Sequence, residues 1–355
     1  LVPAARRAAG VPVLVESNVF GAVDASADEP GFTCHLFPSK MCALRYRRRL
    51  GLGGPEFHDR HRVSFWPVDL AGLRALAPEP GDAKLRLGLD PERPVVVRVG
   101  RDNDRKWRTL LVDMVPPLLA QVPEAQVVIV GATPAKLRRL ERHGVLDRVH
   151  LFAPTASEAE LACFYAAGDV FVTAAEIGES HSFAIEEAMC LGLPVVTCST
   201  PWVDNAQVEQ VDPGSTGYLA DHPVQFADAV ANLLADEGRR RRFSERARAK
   251  CDELYDAPVL TRQLERLYTG LLDGSGVPED WIVPPAELDE FAADYESRMR
   301  ASFRPLGAAE ADEVESERRR ERARWALRAV GAGLNPEGLR YAAAVARARL
   351  PGGVA

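Results

Sequence analysis

Residues 179–196 read Glu-Ser-His-Ser-Phe-Ala-Ile-Glu-Glu-Ala-Met-Cys-Leu-Gly-Leu-Pro-Val-Val, and this stretch constrains the fold more tightly than any other. A polar entrance leads into an apolar helical run, then Gly192 and Pro194, then β-branched residues. That order predicts a loop, a helix, a tight turn and a buried parallel strand. A helix over 181–191 puts Glu179 at its entrance and Glu187 about two turns further in. At about 1.5 Å of rise per residue the two carboxylates lie roughly 12 Å apart along the axis. One extended polyhydroxylated ligand could meet both, with an anion held at the helix N-terminus between them.

The same alternation runs through most of the chain. Strands are predicted at 12–16, 32–38, 63–66, 95–99, 127–130, 149–152, 170–173 and 194–198. Helices are predicted at 40–50, with Ser39 as N-cap and Gly51 as terminator, and at 134–143, 157–167, 223–236, 237–254 and 257–272. A further helix over 107–121 should be bent by Pro116 and Pro117. Apolar strands with helices between them indicate an α/β chain built on doubly wound parallel sheets. A length of 355 residues suits about two domains. The reading is a partial N-terminal Rossmann-like domain over 1–75, a linker over 76–93 marked by Pro78, Pro80, Gly81 and Pro91, a second Rossmann-like domain over 94–274, and a mainly helical extension over 275–355. Leu1 and the residues after it read as the end of a helix already under way, so the first domain is expected to lack its opening strands.

Composition narrows the class. With 46% hydrophobic and 27% charged residues the chain is ordinary for a globular protein. A net charge of -7 forces no basic face and argues against a nucleic-acid partner. The six cysteines lack zinc spacing. Cys163, Cys190 and Cys198 sit in apolar runs and read as small buried thiols, which fits a reducing, cytoplasmic setting. The sequence has no apolar run of about eighteen residues or more, so no membrane-spanning helix is expected.

A second polar segment, Val99-Gly-Arg-Asp-Asn-Asp-Arg-Lys-Trp107, follows the strand predicted at 95–99. The carboxyl ends of parallel strands line a binding crevice. Gly100 lets the backbone turn there, and Arg101 and Lys106 could clamp a diphosphate; solvated loop charges are the plainer alternative. Glu179 suits a helix N-terminus through the macrodipole. Of Glu186 and Glu187, mid-helix among apolar residues, one must turn toward core or crevice.

Together these segments resemble the C-terminal, donor-binding domain of family-4 glycosyltransferases, retaining enzymes of GT-B fold. Their E-x7-E motif is met by Glu179 and Glu187, followed by Ala188-Met189 and Gly192-Leu-Pro-Val-Val. Their Gly-Arg-x4-Lys motif is met by Gly100, Arg101 and Lys106. The similarity extends through 209–219 and 267–272, and is weaker over 11–70. The resemblance implies that the chain transfers a sugar from a nucleotide-diphosphate donor to a glycan, lipid or small-molecule acceptor, with no cofactor beyond that co-substrate and no bound metal. It implies that Arg101 and Lys106 neutralise the diphosphate leaving group, that Glu179 holds the hydroxyls of the transferred sugar, and that Glu187 accepts from the ribose. Ser180, His181, Ser182 and Phe183 would meet phosphate or sugar at the helix entrance, and the backbone near 152–155 would choose the base. Two departures stand out: Trp107 replaces the usual glycine after the motif lysine, and His181 and Phe183 replace small residues between the glutamates. On the acceptor side only Glu16 and Asn18 are candidates for the cleft. The arginine-rich stretch 318–328 fits either peripheral contact with an anionic membrane surface or a solvated helix with Glu–Arg pairs. A non-catalytic sugar-nucleotide-binding or interaction protein, or a fragment without its acceptor site, is the alternative to an enzyme.

Overall fold

The computed structural model of the chain describes residues 2–22, 31–200 and 203–300. The stretch 318–328 and most of the expected extension lie outside them; the described part of that extension contains one helix, Pro285–Arg300. Among the described residues no helix is long and apolar enough to cross a membrane.

Two parallel sheets organise the chain. The first joins β1 (Val15–Ser17), β2 (Cys34–Phe37) and β3 (His61–Val63) in that order. The second comprises β4 (Val95–Arg98), β5 (Gln126–Val130), β6 (Val149–Phe152), β7 (Val170–Val172), β8 (Val195–Thr197) and β9 (Gly217–Leu219). Its order is β6-β5-β4-β7-β8-β9, with every pairing parallel. The valine-rich runs explain this arrangement, because helices cover both faces and successive side chains must both find apolar partners. Val95 and Val97 enter one core layer with Val128, Val130 and Phe171. Val96 enters the other with Val127, Ile129 and Val170. The first layer continues into the smaller sheet through Phe37, Met41 and Val63, so the two sheets share a core.

Several elements differ from expectation for identifiable reasons. The stretch 107–121 forms two helices, Leu110–Asp113 and Val115–Gln121, separated at Met114. Pro116 and Pro117 have no N–H to continue a helix but suit the first turn of a new one. Strand β3 ends at Val63, leaving Phe65 and Trp66 beyond it. The short β9 was not predicted, and helix Leu70–Leu76 also went unrecognised just before the predicted linker. Helix Lys40–Leu50 forms as expected: Ser39 accepts from the Cys42 N–H, and Gly51 closes it at φ 68°. All six cysteines are buried, and none is in a disulfide.

One polar device ties the sheets together. Glu209, on the short helix Gln207–Gln210, reaches the start of helix Lys40–Leu50. Its Oε2 accepts from the Lys40 N–H at 3.0 Å and its Oε1 from the Met41 N–H at 3.1 Å. The carboxylate thus serves two N–H groups that a helix cannot satisfy internally. Glu209→Ala should lower the unfolding free energy by about 1–3 kcal/mol, since it strands buried donors. Urea denaturation checks this, and a loss below about 0.5 kcal/mol, the range of inert surface changes, would argue against the clamp.

Candidate functional site

The strand order reverses direction between β4 and β7. The first half runs outward through β5 and β6, and the second through β8 and β9. Loops leaving adjacent strands on opposite sides of such a switch open a crevice at their carboxyl ends. Both polar segments emerge there. Residues 99–106 follow β4 and finish in a short 3-10 turn, Asp104–Lys106, capped by Asn103, which accepts from the Arg105 N–H at 2.9 Å. Residues 173–182 follow β7 and lead into helix Phe183–Cys190. That helix starts later than predicted, so Glu179 stands in the loop before it. Gly178 bends this loop at φ 65°, and a Cβ there would lie 1.6 Å from the Asp204 carbonyl oxygen, so only glycine fits.

The loops meet in an ion pair. Lys106 Nζ donates to Glu179 Oε2 at 2.6 Å. Around this pair lies a cavity of about 550 Å³ lined by Gly100, Arg101, Lys106, Glu179, Ser180, His181, Ser182, Phe183 and Glu187. The structure therefore gathers the residues of both polar segments into one cleft. Pro154 and Thr155 also line it, as do Val19, Phe20 and Trp66 from the side of the smaller sheet. Trp66 stacks on Phe183 with ring centroids 5.6 Å apart. Glu16 and Asn18 do not line the cavity. Glu16 Oε2 lies 2.6 Å from His35 Nδ1 and 3.3 Å from Asn18 Nδ2. Asn18 closes its own turn, donating to the Ala22 carbonyl at 2.8 Å and accepting from the Ala22 N–H at 3.1 Å.

Burial sets the electrostatics. Glu179 is 8% exposed, and desolvation holds its carboxyl above the ordinary range although Lys106 opposes this. Glu187 accepts from the Tyr165 hydroxyl at 2.7 Å, and burial raises its carboxyl as well. Glu186 takes the other direction. It is fully buried, accepts from Gln210 Nε2 at 3.0 Å and lies 3.0 Å from His181 Nε2. That His181–Glu186 contact is a buried ion pair. His181 Nδ1 donates to the Pro38 carbonyl at 3.1 Å. Burial disfavours the charged imidazole, but the Glu186 carboxylate outweighs it and holds the His181 pKa above its usual value.

The sequence did not single out Arg98, the last residue of β4. It is 3% exposed, lines the cavity and has its guanidinium carbon 3.6 Å from the centroid of the Trp107 ring. Burial pushes its pKa down to about 9. Trp107, fully buried, donates from Nε1 to the Gly131 carbonyl at 3.0 Å. An arginine inside a run of valines was the available signal.

With this geometry in hand, comparison with known proteins is informative. Residues 93–236 match the family described as Glycosyl transferases group 1. The chain is 34% identical over 186 residues to a D-inositol 3-phosphate glycosyltransferase of Xylanimonas cellulosilytica, covering 48% of this chain and 43% of that protein. It is 32% identical over 178 residues to a sulfoquinovosyl transferase of Arabidopsis thaliana, covering 49% of this chain and 33% of that protein. The chain thus spans less than half the length of these two curated relatives. The structure of HepE from Anabaena in complex with UDP superposes with a TM-score of 0.63 at 18% identity, over 76% of this chain and 75% of that one. That likeness establishes a fold of GT-B type.

The His181 linkage has a definite sign. Because its folded pKa is raised, His181 contributes stability that is fully present below the unfolded value near 6.5 and is lost as pH rises through the folded value. Between pH 6.5 and 8.5 the wild type should therefore lose more thermal stability than His181→Gln. Scanning calorimetry of both proteins checks this, and parallel pH profiles would contradict it.

Proposed function

We propose that this chain carries the sugar-donor half of a retaining glycosyltransferase that moves a sugar from a nucleotide diphosphate to an acceptor. The observation that carries the reading is the Lys106–Glu179 pair at the strand-order switch, inside the cavity that Arg101 and Glu187 also line. The match of residues 93–236 to the glycosyltransferase family supports it.

Each residue has a role that its chemistry allows. Negative charge grows on the diphosphate as the glycosidic bond breaks. Arg101 and Lys106 stabilise that charge in a cavity where water screens it poorly. Glu187, held by Tyr165, accepts from the ribose hydroxyls. Glu179 accepts from hydroxyls of the transferred sugar. Lys106 pairs with Glu179. An arriving diphosphate competes for the ammonium and frees the carboxylate to turn to the sugar. UDP is the first nucleotide to test, because HepE was solved with it.

Calorimetric titration with UDP- and GDP-sugars tests the reading; absence of binding by all of them would sink it. A donor that binds but is neither transferred nor hydrolysed would instead favour a binding protein. Glu179→Ala should weaken a sugar-bearing donor by about 10-fold, the worth of a hydrogen bond to a charged group. The same change releases Lys106, so bare nucleoside diphosphate should bind at least as well as before. Equal losses for both ligands would contradict the role of Glu179.

A further inference from the structure

Arg98 is a buried cation whose charge is not met by any ion pair in the described structure. Its Nη1 donates to the Val130 carbonyl at 2.7 Å and its Nη2 to the Lys106 carbonyl at 3.3 Å. The Trp107 ring lies against it, while its buried Nε has no hydrogen-bond partner. The nearby carboxylate, Glu179, already pairs with Lys106. Burying a guanidinium against carbonyls and an aromatic face, with one donor unused, is costly unless an anion completes it. Arg98 lines the cavity, and its guanidinium sits against Gly100: a Cβ on Gly100 would lie 2.8 Å from Nη2 and 3.0 Å from Nη1. Gly100 is not one of the glycines at positive φ, so its backbone would accept a side chain and the guanidinium is what excludes one.

We propose that Arg98 is a third cation of the diphosphate site, lying below Gly100 and supplying the anion's buried counter-charge. This deepens the functional reading above and rests on it. Arg101 is exposed and Lys106 is shared with Glu179, so each gives up part of its charge to solvent or to a neighbour. Arg98 is fixed by two carbonyls and a ring, so it needs no reorganisation when the diphosphate enters. Its hydrogen bond to the Lys106 carbonyl also holds the turn that carries Lys106. Trp107 covers one face of the guanidinium.

The test is calorimetry with UDP and with uridine on the wild type, Arg98→Met, Arg98→Lys and Gly100→Ala, with melting temperature as the check on folding. Arg98→Met should weaken UDP about 10- to 100-fold, as expected for a lost charge-assisted hydrogen bond, and leave uridine unchanged. Arg98→Lys should restore part of that loss. UDP affinity unchanged in a folded Arg98→Met, or equal losses of UDP and uridine, would overturn the proposal. If the methionine variant does not fold, Gly100→Ala decides. The three atoms nearest its methyl all belong to the Arg98 guanidinium, so UDP should weaken while uridine holds, and unchanged UDP affinity would overturn the proposal. A wild type that binds neither UDP nor GDP would instead overturn the functional reading on which the proposal rests.

Discussion

The pairing of β4 with β7 is the constraint from which the site follows. Val96 opposes Val170 and Val97 opposes Phe171, although some seventy residues separate them. Because the strands are parallel neighbours, both carboxyl ends finish at the same edge. The two loops that leave there must diverge, since their crossovers pack on opposite halves of the sheet. The crevice between them is therefore a property of the topology. What the sequence adds is chemistry at its two lips: cations after β4 and carboxylates after β7, joined by the Lys106–Glu179 pair.

The carboxylate lip is also anchored to the smaller sheet. His181 bonds to the Pro38 carbonyl, and the Cys42 thiol donates to the Ser180 carbonyl at 3.7 Å. Glu209, from the same half of the larger sheet, caps the helix that begins at Lys40. The loop that would meet a sugar thus touches both sheets, and its conformation depends on how they pack. Much of this polar work is done by buried groups. Glu179, Glu186, Glu209 and His181 are each less than a tenth exposed, so removing one partner leaves another polar group stranded away from water.

Long periodic elements were legible in the sequence because local signals agree there with the fold. Helix Lys40–Leu50 has both caps written into its residues, and helix Glu237–Leu254 has an unbroken pattern. The valine runs of β4 and β5 could hardly be anything but buried strands. Short elements were not legible: β9 has three residues, too few for a period, and is held by pairing with β8. The same holds at the site. Spacing brought Arg101, Lys106, Glu179 and Glu187 forward, and it showed that Glu186 and Glu187 could not both stay in solvent. It could not tell that Glu186 turns to His181 and Gln210 while Glu187 turns to Tyr165, because Gln210 and Tyr165 come from other elements and the loop before the helix sets where His181 points. Arg98 was hidden for a different reason. One charge inside V-V-V-R-V reads as a strand residue until Trp107, nine positions on, is seen folded back against it.

In the proposed function a nucleotide diphosphate sugar lies across the β4–β7 switch, with its phosphates on the cationic lip and its sugars on the carboxylate lip. A crystal structure with an intact UDP-sugar tests this most directly. The expected complex has the diphosphate beside Arg101 and Lys106, the Lys106–Glu179 pair opened, the ribose on Glu187 and the second sugar on Glu179. A ligand bound elsewhere, or one seated in the cleft with the Lys106–Glu179 pair intact and no contact to Glu187, would contradict it.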